Sequence, residues 1–264
     1  ILSLNGFDPA TNTFENDDWV SNFDAIELWE GKRQGLFNAT YKTYHTLAQK
    51  GIRLTAFGES NSFSTLYQEV GYPRVYIKSS ADEPINISPE ELAQNIKNRV
   101  VSITNGPFIE FSANDQPMGS LITDTDGKVD VDVTVKAANW VKVNSLSINL
   151  NGRFVRRILL NNATADENGV VFPQEDSSAQ SDITVRPTGD AILDIIVEGT
   201  SDLDMDPVNP FRALVSSQDI NQGQYPLAIS APIFIDADGD GKITIESEVS
   251  EDPTLEYEET DPPF

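Results

Sequence analysis

The residues best suited to chemistry stand together in Asp236-Ala-Asp-Gly-Asp-Gly-Lys242. Carboxylates at Asp236, Asp238 and Asp240 supply hard oxygen ligands at the spacing of a calcium loop. Gly241 permits the sharp turn, and the backbone carbonyl of Lys242 would be a fourth ligand. An EF-hand would place a bidentate Glu five residues beyond Lys242, but that position is Ser247, flanked by Glu246 and Glu248. No helix signal stands on either side. The expectation is therefore a loop of the Asp-x-Asp-x-Asp-Gly type with its own register. Asp236, Asp238, Asp240, Lys242, Glu246 and Glu248 are its candidate ligands, and calcium is a structural ion there. The competing reading is an acidic turn without metal. Asp124-Thr-Asp-Gly127 is similar but shorter, and reads as a plain hairpin turn.

Other chemistry is thinner. The chain has one histidine, His45, and no cysteine, so disulfides, thiolate catalysis and zinc sites of the His- or Cys-rich kind are excluded. His45 lies in a helical pattern beside Tyr44, and reads as a packed or surface residue. A Ser-His-Asp arrangement would have to use it, and nothing near it resembles a nucleophile elbow. No catalytic residue is assigned. Trp19, Trp29 and Trp140 read as core or edge residues. Asn38-Ala-Thr, Asn86-Ile-Ser and Asn162-Ala-Thr match the glycosylation sequon, a match common by chance.

The formal charge of −24 over 264 residues argues against nucleic acid or an anionic membrane as partner, since both reward positive charge. It suits a solvated, cation-binding surface in an extracellular or periplasmic setting. There is no apolar run near the length of a membrane span, so membrane insertion is not expected. The chain opens on Ile1-Leu-Ser-Leu-Asn rather than Met, which suggests a processed or truncated product.

The elements that must position these residues fall into two textures. Over 1–112, strand and helix signals alternate. Phe23 to Trp29 reads as a buried strand, and Leu36 to Lys50 as a helix stopped by Gly51. Ile52 to Phe57 reads as a second strand. Ser88 and Glu91 form a capping box around Pro89, opening a helix whose apolar face is Leu92, Ala93 and Ile96. Val100 to Thr104 and Phe108 to Phe111 are further strands around an Asn105-Gly106 turn. Such alternation predicts βα units and a mainly parallel sheet. Beyond residue 112, Val129, Val131, Val133 and Val135 alternate with polar residues, and Ser145 to Leu150 repeats the pattern. Asn151-Gly152 marks a tight hairpin into Phe154 to Leu160. Ile183 to Val185 and Ala191 to Val197 add strands. The run predicts an antiparallel, immunoglobulin-like β-sandwich. The tail from Glu246 is acidic, contains no base, and is expected to be mobile.

Several of these segments, in order, carry a resemblance. Gly6-Phe-Asp-Pro9, Phe23-Asp-Ala-Ile-Glu27, Trp29-Glu-Gly31 and Gly58-Glu-Ser-Asn-Ser-Phe63 resemble the closing third of a PHP-type metallohydrolase domain, nearest to the CehA/McbA-like subgroup. Gly71-Tyr-Pro-Arg74 and Thr104-Asn-Gly-Pro-Phe108 continue it. Trp140-Val141, Asn151-Gly152, Pro226-Leu-Ala and Pro232-Ile-Phe-Ile-Asp236 resemble the carboxy-terminal domain of the same proteins. The resemblance implies a distorted α/β barrel that holds metal ions and activates water on phosphoesters or related esters. It also implies that the histidine-rich ligand motifs would precede Ile1. The remaining motif, Gly-x-Ser-Asp-x-His in active members, here has Asn61 in its Asp position and Phe63 in its His position. Neither can replace the lost ligand.

The expected architecture is thus α+β and multi-domain: 1–112 the carboxy-terminal part of a PHP-like α/β domain, 113–235 the β-sandwich, and 236–264 the calcium-type loop and acidic tail. The leading functional reading is the carboxy-terminal portion of a secreted PHP-like protein with a degenerate site, acting as a calcium-braced structural or binding module. The alternative is an ester hydrolase completed by an amino-terminal fragment, which would supply the ligands for divalent transition metals. An incomplete barrel would leave strand edges open, so that fragment or self-association is the expected partner.

Overall fold

Alternating valines can satisfy only one apolar face, so the strand they form must lie at the outside of a layered structure. A computed structural model of the protein describes residues 7–8, 13–14, 23–30, 37–62, 70–173, 183–199 and 225–245. Strands dominate the described residues, accompanied by two α-helices. In chain order the elements are β1 (Phe7–Asp8), β2 (Thr13–Phe14), β3 (Ala25–Glu30), α1 (Phe37–Gln49), β4 (Thr55–Glu59), β5 (Arg74–Ile77), α2 (Pro89–Lys97) and β6 (Val101–Thr104). They continue with β7 (Phe108–Ala113), β8 (Gln116–Pro117), β9 (Leu121–Thr123), β10 (Val129–Lys136), β11 (Val143–Leu150) and β12 (Arg153–Ala163). The last are β13 (Val170–Phe172), β14 (Ile183–Val185), β15 (Ala191–Gly199), β16 (Leu227–Ser230) and β17 (Ile233–Asp236).

Two sheets face each other. The smaller runs β13-β10-β7-β8, with β14 also on β10. The larger runs β12-β11-β15-β16-β6-β5, and β17 pairs with both β15 and β9. Every ladder in these sheets is antiparallel except β9 with β17. Val129, Val131, Val133 and Val135 point from β10 onto Val143, Leu146, Ile148, Leu193, Ile195 and Val197 of the larger sheet, and all are buried. The alternation in β10 is as expected, because its outer face is wet.

The larger sheet is covered on both faces. Its second face packs beneath α1, β3 and β4, where Leu227 and Ile229 meet Ile26, Trp29, Tyr44, Leu47 and Leu54. This third layer explains why β11 is buried almost throughout, at Ser145, Ser147 and Asn149 as well as at the apolar positions. The polar half of the alternation expected for a wet strand here lies under a helix. Helix α1 contributes Tyr41, Tyr44, His45, Leu47 and Ala48, one continuous buried stripe. Gly51 ends the helix at a φ of +81°.

Several expectations shift. The β3-α1-β4 unit is parallel, as βα alternation implies, with Ala25 opposite Thr55. It is the only such unit in the described part of 1–112; β5 and β6 pair antiparallel, so the sheet is not mainly parallel there. The boundary expected at 112/113 falls inside β7. Strands β5 and β6 belong to the larger sheet, where β6 pairs with β16, and Asn105 fixes that pairing by accepting from Leu227 N at 2.7 Å. At α2, Ser88 Oγ accepts from Glu91 N at 3.2 Å, as a cap should. The Glu91 carboxylate turns instead to Ser80, taking its N–H at 2.7 Å and its hydroxyl at 3.0 Å. Of the apolar face expected on α2, Leu92 and Ile96 are half-buried and Ala93 is exposed. Phe63, Trp19 and the tail from Glu246 lie outside the described residues.

Candidate metal centre

Three strand ends converge where the acidic loop begins. In the β15–β17 ladder Ala191 stands opposite Ile235, so the residues just outside it, Asp190 and Asp236, are neighbours. On the other side of β17, Asp236 is in register with Thr123 of β9, and Asp124 N donates to the Asp236 carbonyl at 2.9 Å. Asp190, Asp236 and Asp238 each bring a carboxylate oxygen within 4.8 Å of the others, a group that could hold a metal ion.

The loop is held ready by its own backbone. Asp236 accepts from Gly239 N at 2.7 Å through one oxygen and from Gly241 N at 2.9 Å through the other. Asp190 accepts from Ala237 N and Thr244 N, at 2.8 and 2.7 Å. Asp238 accepts from Asp240 N at 3.0 Å. Each carboxylate oxygen has a second lone pair, so these bonds orient the ligands without exhausting them. Burial pushes the pKa of Asp236 up, but the N–H groups of Gly241 and Gly239, with Asp238 and Asp240, hold it below the usual carboxylate value. The group is therefore ionised and the site carries negative charge. With no cysteine and a single histidine elsewhere in the fold, its donors are hard oxygens, suited to a hard cation.

The contiguous motif anticipates Asp236 and Asp238. Asp240 is exposed and stands outside the group, its side chain accepting from Lys242 N at 2.7 Å. Lys242 is exposed, and Glu246 and Glu248 lie outside the described residues. Asp190 was missed, because it is far away in sequence and joins only through the β15–β17 ladder. The one local signal was an acid set immediately before the apolar run of β15. Asp124-Thr-Asp-Gly127 is not the hairpin turn expected: β9 pairs with β17 and β10 with strands of the smaller sheet, so this bend crosses between the sheets, beside the acidic loop. Asp124 is buried, and burial, then the adjacent Asp126, raise its pKa. Its Oδ2 has no hydrogen-bond partner.

His45 occupies a different place, between α1 and the larger sheet. It is 3% exposed, with the Tyr41 ring at 4.4 Å and the Tyr44 ring at 5.7 Å. Its Nε2 lies 3.3 Å from Asp194 Oδ1, on β15. Tyr41 Oη donates to Asp194 Oδ2 at 2.7 Å, and Asn149 Nδ2 reaches the same oxygen at 3.4 Å. Burial first, and the Asp194 carboxylate second, push the Tyr41 phenol well above its ordinary value, so Tyr41 stays a donor. His45 is packed, as a lone helical histidine is expected to be, but its surroundings are polar.

Compared with protein-family models, with curated proteins and with solved structures, the chain matches none of them.

Proposed function

We propose that the chain is a cation-braced structural and binding module. Calcium, held by Asp190, Asp236 and Asp238, ties the rim of the sandwich. The supporting observation is that the three carboxylates come from both sides of the β15–β17 ladder and converge within 4.8 Å. An ion there links the start of β15 to the end of β17, which itself carries β9. Carboxylates with backbone carbonyls and water make an oxygen set of the kind calcium takes, and calcium tolerates irregular geometry better than magnesium does. The site has no neutral nitrogen ligand and lies apart from His45, so it reads as structural. Such a role suits an extracellular or periplasmic protein. In this reading the chain is the carboxy-terminal portion of a PHP-like protein whose own metal motif is lost at Asn61 and Phe63.

The test is thermal unfolding with calcium and with chelator. Calcium is expected to raise the melting temperature, and Asp238→Ala to remove the rise. Equal melting of both proteins with calcium and with chelator would sink the assignment.

A second reading has its own observation. Strands β3 and β4 pair only with each other among the described residues, and a two-stranded sheet is marginal alone. A preceding segment of the same precursor, or a second copy of the chain, would complete it. A preceding segment could also supply transition-metal ligands for ester hydrolysis. The intact mass of the native assembly, with its transition-metal content, decides this: a second polypeptide and bound metal support it, and a lone chain without such metal rejects it.

A further inference from the structure

Between α1 and the β11–β12 hairpin lies a cleft of about 600 Å³, within the range of small-molecule sites. It shares no residue with the acidic loop. Its wall includes His45, whose two ring nitrogens have no hydrogen-bond partner although the side chain is 3% exposed. The Asp194 carboxylate lies 3.3 Å from Nε2, with no hydrogen bond between them. Buried polar groups are almost always paired, so an imidazole without a hydrogen bond marks this wall as polar rather than merely packed.

The rest of the lining says what kind. Ser147 and Asn149 present a hydroxyl and an amide from β11, and Gln49 presents another amide from α1. At the mouth stand Lys42 and Arg153, which have no ion pair among the described residues; Arg157 is already spent on Glu198 at 2.9 Å. Two cations without an ion pair among the described residues stand beside one cleft, and they attract an anion. Phe154 is 55% exposed at the same mouth and offers a flat apolar face. Hydroxyl-binding amides, a ring to stack on and cations at one end match a sugar that bears a carboxylate.

We infer that this cleft binds an acidic carbohydrate, a uronate-containing oligosaccharide. The carboxylate meets Lys42 and Arg153, a pyranose face lies on Phe154, and ring hydroxyls reach Asn149 and Gln49, with the His45 ring behind them. The binding needs no metal, so calcium removal leaves it in place as long as the chain is folded.

The experiment is calorimetric titration of the full chain with trigalacturonate, with maltotriose as a neutral trisaccharide and inorganic phosphate as a bare anion. Saturable binding of trigalacturonate is expected, at least about tenfold tighter than either comparator. The double variant Lys42→Ala/Arg153→Ala changes only exposed side chains. It should keep its melting temperature and lose about tenfold or more in affinity. Addition of trigalacturonate should also shift the His45 ring resonances in the wild-type protein. The inference is overturned by no saturable heat up to about 10 mM. Equal affinity for maltotriose or for phosphate would also overturn it, as would undiminished binding by a folded double variant.

Discussion

Gly152→Ala tests how tightly α1 is clamped on the larger sheet. Gly152 closes the β11–β12 hairpin at a φ of +78°, next to Asn151 at +55°, both values of a type I′ turn. An L-residue held there costs about 1–2 kcal/mol in backbone energy alone. The added methyl would also stand 3.1 Å from His45 Cγ and 3.3 Å from its Cβ. His45 cannot retreat, because Tyr41 and Tyr44 hold it edge-on from its own helix. Overpacking of this kind costs about 1–3 kcal/mol. The sum is a loss of about 2–5 kcal/mol, or a fall in urea midpoint of about 1–2.5 M at an m-value near 2 kcal/mol/M. The two parts can be separated. In a His45→Ala background the steric part vanishes and only the backbone part remains. Urea unfolding of the four proteins of that cycle should thus give a coupling of about 1–3 kcal/mol, the double variant being less destabilised than the sum of the singles. Additivity within about 0.5 kcal/mol would refute the claimed contact, and a neutral Gly152→Ala would refute the turn geometry as well.

Two other outcomes follow from the layering. Leu146→Ala empties a fully buried position facing the smaller sheet and should cost about 2–5 kcal/mol in chemical denaturation. Leu159→Ala on the neighbouring β12, where Leu159 is 60% exposed, should stay within about 0.5 kcal/mol. The phenol of Tyr44 is pushed above its ordinary 10.0 by burial first and then by the Asp194 carboxylate. The folded state therefore keeps a proton that the unfolded chain releases, and this contribution is complete below pH 10.0 and lost as pH rises further. Circular dichroism should show stability declining above that pH, with a shallower decline in Tyr44→Phe.

The legible parts of the sequence are those in which each residue answers to one layer. The valines of β10, the Asn151-Gly152 turn, the cap at Ser88 and the stripe of α1 are local patterns, and the structure reproduces them. Strand β11 misleads for a physical reason. Its serines and Asn149 look like a wet face, and only the return of α1 over the larger sheet buries them. The pairing of β6 with β16 spans over a hundred residues, so no local signal marks the region before residue 112 as part of the sandwich. The candidate metal centre was half readable for the same reason. Asp236 and Asp238 lie on one loop, whereas Asp190 joins them only through strand register. The polar group around His45 was hidden altogether, since Tyr41, Asn149 and Asp194 come from three elements.

In the proposed role a cation closes the rim where β9 and β17 end and β15 begins, through Asp190 as much as through the loop. Calorimetric titration of calcium into the chelator-treated protein, repeated with Asp190→Ala and Asp240→Ala, tests it most directly. Saturable calcium binding is expected, raising stability by about 2.7 kcal/mol at a hundredfold excess over Kd. Asp190→Ala should abolish the binding, while Asp240→Ala, outside the converging group, should weaken it far less. No binding to the wild-type protein, or loss through Asp240→Ala with Asp190→Ala unaffected, would contradict that role.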